Sequence, residues 1–388
     1  MGELESLLLI LALIYLSECL VWVRRGALAF QTWWGRDFRV LHPGSLFSNQ
    51  RGGLVLANPL PPLGAVFICQ LFPLSVSPEG VFAYSAACLN AAGRPFQTGA
   101  YIRLDDIREI AVDGRKLLVN GEVFLHAIST FSARHLAEWL RRLRKLPGAE
   151  RAGAIKQFIR DSLSNEDVSK LLNDCRSRSG PVRILSNALF CYLFVVVVPL
   201  VWRFGFGQFG AWLLAGMLAQ TIAIAVLFRR AHAALHPGAD EERFKPFLTM
   251  LLAPPSAIRA PDILARHVLE NFHPLAIARV LSSRESFTEL ARQVLLDSRF
   301  PLFPISPKND PAAVATEQWF RDAALNAVEK YMAGAGLRPG DLTAPPKPAE
   351  PSNRSYCARC GAQFVVTGGT CADCGGRPLR PFAQKAPA

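Results

Sequence analysis

The sequence predicts a multidomain membrane protein of the α+β class, with three transmembrane helices and soluble domains between and after them. Three observations support this prediction. Hydrophobic residues make up 51% of the 388 residues, and three apolar stretches concentrate them at 4–23, 184–202 and 204–228. A β pattern with tight-turn residues follows the first stretch, and two Cys-x-x-Cys pairs lie near the C-terminus.

Each apolar stretch is long enough to cross a bilayer, since about 20 apolar residues span ~30 Å of hydrocarbon. The second and third stretches contain no charge and are separated by Arg203. The first contains Glu18 and opens with Glu3 and Glu5 instead of the basic segment of a secretory signal, so we expect an uncleaved anchor. A buried core helix of a soluble domain is the alternative for each stretch.

Basic residues predict the orientation through the positive-inside rule. They follow the first and third stretches, whereas the loop between the second and third carries only Arg203. The residues concerned are Arg24, Arg25, Arg36, Arg39, Arg229, Arg230, Arg243 and Lys245. We therefore expect a multi-pass protein of the cytoplasmic (inner) membrane, with its N-terminus outside and its soluble domains in the cytoplasm.

The net charge of +12 indicates which partners to expect. A basic cytoplasmic surface beside a bilayer is expected to lie against the anionic headgroups of membrane lipids. Nucleic acid is the rival partner, but the basic residues are scattered and no aromatic-interleaved recognition motif occurs. No nucleic-acid partner is therefore expected.

The third stretch carries a repeat of small residues every four positions. The repeat consists of Ala211, Ala215, Ala219 and Ala223. Such a stripe lets another helix approach closely, and we expect it to pack against the second span.

Residues 52–129 show the short apolar runs of β-strands, at Leu54–Ala57, Ala65–Gln70, Val81–Ser85 and Tyr101–Leu104. Asp113-Gly114 and Asn120-Gly121 then predict tight turns in a three-stranded meander. After it, Ser132 is predicted to cap a helix that ends at Leu146 and has Leu136, Leu140 and Leu143 on one face.

A β-meander closed by one amphipathic helix, here over 33–146, resembles the pleckstrin-homology-like domain of many bacterial membrane proteins. The resemblance implies a platform beside the membrane that binds lipid or a protein partner. The closing helix ends in four basic residues: Arg141, Arg142, Arg144 and Lys145. They form either a solvated face favoured by the helix dipole or a patch that contacts lipid headgroups.

The remaining segments are predicted to be helical up to a proline-rich linker. Residues 149–183 form a connector in which Ser164 and Asp167 suggest a capping box. Residues 240–338 form a small α-helical domain, and the linker covers 342–353. The predicted helices of the domain are Phe244–Leu252, Asp262–Phe272, Pro274–Leu281, Ser286–Leu296 and Ala312–Met332.

Four cysteines carry the most specific chemistry in the chain: Cys357, Cys360, Cys371 and Cys374. Two Cys-x-x-Cys turns, each followed by glycine, can direct four thiolates at one Zn²⁺ ion, and four thiolates leave no open position, so the site is expected to be structural. Disulfides and a redox dithiol are the alternatives. The pattern resembles the short zinc ribbons appended to many bacterial proteins, over residues 356–378.

The other cysteines show no paired spacing and are expected to be small buried hydrophobes. They are Cys19, Cys69, Cys88, Cys175 and Cys191.

No nucleophile elbow, phosphate-binding loop or dinucleotide fingerprint occurs in the sequence. We therefore predict a non-enzymatic scaffold that recruits an as yet unidentified protein partner. The first alternative is a lipid-sensing or lipid-binding module. The second is an enzyme whose site assembles from distant residues, with Glu18 or the pair His232 and His236 as candidates. Asp105-Asp106 is expected to be surface charge.

Overall fold

The computed structural model describes residues 2–23, 27–32, 38–41, 53–56, 64–69, 72–89, 95–205, 207, 209–237, 240–301 and 310–382. These residues form helices and small antiparallel sheets in two compact units. The first unit consists of 1–48, 52–71 and 164–283, and the second consists of 49–51, 72–163 and 284–388. The segments predicted as a β-domain (33–146) and a helical domain (240–338) each contribute to both units.

The helices are α1 Glu3–Cys19, α2 Thr130–Lys145, α3 Gly148–Ser162, α4 Asn165–Phe204, α5 Gly210–Leu235, α6 Asp240–Leu252, α7 Pro254–Ala257, α8 Ala260–Ala265, α9 Pro274–Leu281, α10 Arg284–Arg299, α11 Pro311–Gly334 and α12 Pro339–Leu342. The strands are β1 Leu20–Val23, β2 Ala27–Thr32, β3 Phe38–Leu41, β4 Gly53–Leu56, β5 Gly64–Cys69, β6 Leu74–Val76, β7 Gly80–Leu89, β8 Pro95–Arg103, β9 Ile110–Asp113, β10 Lys116–Val119, β11 Glu122–His126, β12 Ser355–Cys357, β13 Gln363–Phe364, β14 Thr370–Cys371 and β15 Arg377–Pro381.

The described residues contain two helices long and apolar enough to cross a membrane, α4 and α5, so the prediction of three was wrong. The predicted first span ends as a helix at Cys19, after 17 residues, and continues as strand β1 paired with β4. A helix of 17 residues is about 26 Å long, short of the ~30 Å of hydrocarbon. Aromatic and β-branched residues in Val21-Trp22-Val23 favour the extended backbone.

Helix α4 joins the predicted connector and the second span in one element of 40 residues. It begins where Ser164 caps it, with Ser164 Oγ accepting a 3.2 Å hydrogen bond from the backbone N–H of Asp167. A π-helical turn over 192–197 interrupts its regular pitch. It ends at Gly205, whose φ of 72° stops the helix before α5 begins.

The helices α4 and α5 pack against each other through large apolar residues, so the predicted alanine contact was wrong. Their shared core includes Leu189, Leu193, Ile224 and Phe228. The predicted stripe of Ala211, Ala215, Ala219 and Ala223 is exposed. The contacting faces carry leucine, isoleucine and phenylalanine side chains. Burial of these side chains removes more apolar surface from water than burial of alanine would.

Two small sheets complete the first unit. Strand β2 pairs with β3 and β5, while β1 pairs with β4. The N–H of Ile68 on β5 donates a 2.8 Å hydrogen bond to the carbonyl of Arg266, which follows α8. Arg24, Arg25 and Arg36, on which the predicted orientation partly depends, lie outside the described residues.

The second unit contains the predicted meander as β9, β10 and β11, preceded by a second three-stranded sheet of β6, β7 and β8. Asn120 and Gly121 form the two-residue turn between β10 and β11, with φ values of 53° and 85°. Positive φ at both positions is the conformation that matches the twist of a hairpin. The turn predicted at Asn120-Gly121 is therefore confirmed.

Helix α2 closes the meander, but its cap lies three residues earlier than predicted. Ser129 is the cap, and its Oγ accepts a 3.0 Å hydrogen bond from the N–H of Ser132. Leu136, Leu140 and Leu143 are buried in the core, as the spacing predicts.

Helix α11, from the predicted helical domain, packs into the same core as the meander. Phe320 is buried in that core, and its ring lies 5.2 Å from the ring of Phe72 in an edge-to-face arrangement. Ser77 and Thr316 add a 3.0 Å hydrogen bond between hydroxyls. The meander and α11 therefore share one hydrophobic core although more than 180 residues separate Ile128 from Pro311 in the chain.

We predict that Phe320→Ala destabilises the second unit by about 3–5 kcal/mol, because it leaves a cavity between α11 and the strands. Hydrogen exchange of the full chain in detergent should show faster exchange in β6 and β7 as well as in α11. Asn326→Ala, at an exposed position of the same helix, is the control and should change stability by less than about 0.5 kcal/mol. Faster exchange confined to α11 would contradict a shared core.

Candidate metal centre

The four cysteines predicted as metal ligands lie on a small antiparallel sheet with the strand order β13-β12-β15-β14. Cys357 ends β12 and Cys371 ends β14. Each is followed by a tight turn that carries the second cysteine of its pair. Gly361 and Gly375 have φ values of 75° and 67°, which a residue without a Cβ adopts at low cost.

The four sulfur atoms lie within 4.8 Å of one another. The Sγ atoms of Cys360 and Cys371 are 3.8 Å apart, which equals the sulfur–sulfur distance of about 3.8 Å in a tetrahedron with metal–sulfur bonds of about 2.3 Å. Cys357, Cys371 and Cys374 are buried, and Cys360 is exposed. These four residues are close enough to bind one metal ion, and no other such cluster occurs among the described residues.

The surroundings lower the pKa of one of the four thiols. Burial alone would raise the pKa of Cys357, but the backbone N–H groups of Cys360 and Arg359 outweigh it and lower that pKa. Burial raises the pKa of Cys371 and of Cys374. A cation bound among the sulfurs would stabilise all four thiolates, so metal binding would release protons.

Arg359 connects the cysteine cluster to α10, a role that spacing in the sequence does not reveal. Its guanidinium lies 3.9 Å from Cys374 Sγ, donates to the carboxylate of Asp297 at 2.5 Å and donates to the carbonyl of Phe300 at 3.1 Å. Arg377 donates to the carbonyl of Pro301 at 3.0 Å. The sheet of β12 to β15 that carries the cysteines, called the ribbon below, is thus bound to the C-terminal end of α10, where carbonyl groups attract cations.

The proline-rich linker is also bound to the ribbon. The side chain of Gln363 accepts hydrogen bonds from the N–H of Ala349 (2.7 Å) and from the amide of Asn353 (2.9 Å), and donates to the carbonyl of Lys347 (2.8 Å). The predicted extended linker therefore packs along β13 at these residues.

The predicted headgroup patch on α2 is partly used inside the fold. Arg141 donates to the carbonyl of Ile110 at 2.7 Å, and Arg144 donates to the carbonyl of Arg108. These bonds hold α2 against the loop and strand before the meander's first turn. Arg141, Arg142 and Lys145 are exposed, and Arg144 is partly buried.

The other predicted site residues lie apart from the cysteine cluster. Cys19, Cys69 and Cys175 are buried, as predicted, whereas Cys191 is exposed. The side chain of Cys88 lies outside the described residues. His232 lies on α5 and His236 follows the end of that helix, with ring centroids 4.9 Å apart. Glu18 is partly buried on α1.

A buried charged pair in the first unit was missed at the sequence level. Arg259 and Asp262 are both fully buried and form an ion pair at the start of α8. The guanidinium of Arg259 also lies 5.9 Å from the ring of Tyr15 on α1. Two charges three residues apart in the otherwise apolar stretch 253–265 are the signal that could have identified the pair.

A scan against protein-family models, a search of curated proteins and a search of solved structures each find no match to this chain. The arrangement of its own residues is therefore the basis for a function.

We predict that Arg259→Met destabilises the first unit by about 3–5 kcal/mol at pH 7, because it leaves Asp262 buried without the guanidinium that pairs with it. Thermal unfolding of the chain in detergent measures this change. Arg338→Met is the matched control, since Arg338 and Asp341 form an exposed pair of the same spacing, and such pairs contribute at most about 1 kcal/mol.

The pH dependence gives a second readout of the same variant. Burial raises the pKa of Asp262 from 3.8 to about 6, although Arg259 and Arg266 oppose this. The folded state then binds more protons than the unfolded state between these two values, so this group adds stability as the pH falls through about 6. Without Arg259 the pKa of Asp262 in the folded state rises further, so Arg259→Met gains more stability than the wild type as the pH falls. The difference in melting temperature between the wild type and Arg259→Met should therefore shrink from pH 7 towards pH 5; a constant difference would contradict the assignment.

Proposed function

We propose that this chain is a cytoplasmic-membrane protein in which the hairpin of α4 and α5 is the anchor and the soluble parts form a non-enzymatic platform for a protein partner. The observation that carries this proposal is the large apolar surface that the hairpin exposes. Only 28% of the most apolar 18-residue segment of each helix is buried. A core helix of a soluble protein would be mostly buried, so this surface favours a lipid environment.

The ends of the hairpin also fit a membrane-spanning element. Trp202 and Trp212 flank the turn between α4 and α5, and each is 78% exposed. Tryptophan at this position is typical of the interface between lipid and water. At the other end of α5, Arg229 and Arg230 are exposed, which by the positive-inside rule favours a cytoplasmic location for the residues that follow.

The second unit supplies the proposed platform. Two antiparallel sheets closed by α2 support the pleckstrin-homology-like interpretation, a fold that typically binds partners through its surface. Because Arg141 and Arg144 are engaged with backbone carbonyls, fewer cations are available for lipid headgroups than the sequence suggested. We therefore favour a protein partner over a lipid ligand.

We further propose that the cysteine cluster binds zinc in a structural role. Four sulfur ligands with the spacing of a tetrahedron suit Zn²⁺, and they saturate its coordination without leaving a position for a substrate. Thiols in the cytoplasm are kept reduced, which favours a metal site over disulfides. The ion would hold together strands of only two to five residues, which cannot bury a sufficient core of their own.

We predict that the purified chain contains about one equivalent of zinc and that Cys357→Ser with Cys360→Ser removes it. Elemental analysis after detergent purification measures the content. Cys191→Ser, at an exposed cysteine outside the cluster, is the control and should retain the metal. Wild-type protein that contains iron, or no metal, would contradict the zinc assignment.

The platform is tested by affinity purification of the full chain from alkali-washed native membranes, with mass spectrometry of what it retains. We expect the chain to stay with the membranes after the wash and to retain one protein in constant ratio. The Cys357→Ser/Cys360→Ser chain serves as the comparison and shows whether the ribbon takes part. Release of the chain by alkali would refute the anchor, and repeated recovery of the chain alone would refute the scaffold.

If the lipid alternative holds instead, the chain without a partner in nanodiscs should show slower hydrogen exchange in α2 with phosphatidylglycerol than with phosphatidylcholine. Arg142→Gln with Lys145→Gln, which changes only exposed cations of α2, would then remove that difference. Under the scaffold proposal hydrogen exchange in α2 is the same with both lipids, although the hairpin holds the chain in the nanodisc.

A further inference from the structure

Helix α6 carries an apolar stripe that the proposed anchor does not account for. Phe244, Leu248 and Leu252 are 64%, 41% and 76% exposed. Their spacing of four residues places them on one side of the helix. Met250, about 200° around the helix from Leu248, is fully buried. The helix therefore has apolar side chains on its buried side and also on part of its exposed side.

The position of α6 places this stripe where α5 leaves the hydrocarbon. Counted from Gly210 at 1.5 Å per residue, Arg229 and Arg230 lie about 30 Å along α5, the thickness of the hydrocarbon core. Helix α6 follows α5 after a short connection and packs against it. Its Met250 shares a core with Phe228 and Ala231, which flank this arginine pair.

We propose that α6 lies in the interfacial layer of the bilayer, with Phe244, Leu248 and Leu252 inserted among the lipids at the level of Arg229 and Arg230. This inference rests on the proposed membrane anchor and adds a second lipid contact to it. Interfacial helices bury such a face about 5–10 Å into the boundary between headgroups and acyl chains.

Apolar contact, and not charge, provides the attraction in this proposal. The first turn of α6 carries Asp240, Glu241 and Glu242, while Arg243 and Lys245 follow. The segment is therefore close to neutral and gains little from anionic headgroups. Two other occupants would also cover an apolar stripe: a second copy of this chain, and a helix of another protein. Helix α6 packs against α5, and its Met250 shares a core with Phe228 and Ala231 at the end of the proposed span, which favours the bilayer.

Photocrosslinking distinguishes these occupants. The photoreactive residue p-benzoylphenylalanine is placed at Phe244 or Leu252 in the full chain, which is then reconstituted into nanodiscs of phosphatidylethanolamine and phosphatidylglycerol. Both positions are exposed, and the change at Phe244 preserves an aromatic side chain, so folding should be retained. Ile222, exposed on α5, is the reporter of the anchor, and Asn326, exposed on α11, is the control in the second unit.

We expect mass spectrometry to detect a phospholipid adduct at Phe244, Leu252 and Ile222 and none at Asn326. An adduct at Ile222 without one at Phe244 or Leu252, or a crosslink from these two positions to a second copy or to another protein, would overturn the inference and leave the anchor intact. Absence of lipid adducts at Ile222 as well would overturn the anchor itself.

Discussion

Hydrogen bonding of the backbone is the constraint on which the two candidate membrane spans depend. A chain in hydrocarbon must satisfy every N–H and C=O within itself, and a continuous helix does so. Helix α4 is continuous across 40 residues although it contains Pro181 and Pro199. The segment after α1 is not helical, because β1 takes its hydrogen bonds from β4. The same rule therefore explains why two segments qualify as spans and the third does not.

The second unit illustrates how a small β-structure becomes stable by recruiting helices from distant parts of the chain. Each three-stranded sheet has an apolar face, and the sheet is stable only when another element covers that face. Helices α2 and α3 cover part of this surface, and α11 covers the rest through Phe320. The ribbon is then held against α10 by Arg359. The cysteine cluster thus belongs to the same compact unit as the meander.

Charged side chains have different surroundings in the two units. Around the cysteines, Arg359 lies near Cys374 and offsets the negative charge that bound thiolates would create. In the first unit, Arg259 and Asp262 are removed from water altogether, which costs free energy that their attraction only partly repays. A pair of this kind specifies the arrangement of α1 and α8 more than it stabilises it, because an alternative packing would leave a buried charge alone.

Features that depend on neighbouring residues could be predicted from the sequence. They are the apolar lengths of α4 and α5, the turn at Asn120-Gly121, the apolar face of α2 and the two cysteine pairs. Contacts between distant segments account for the others: the end of α1 at Cys19, the exposed face of the alanine stripe, the shared core around Phe320, the burial of Arg259 and the contacts of Arg359. Each of these depends on which distant segment covers a surface or supplies a hydrogen bond, and local periodicity carries no information about that partner.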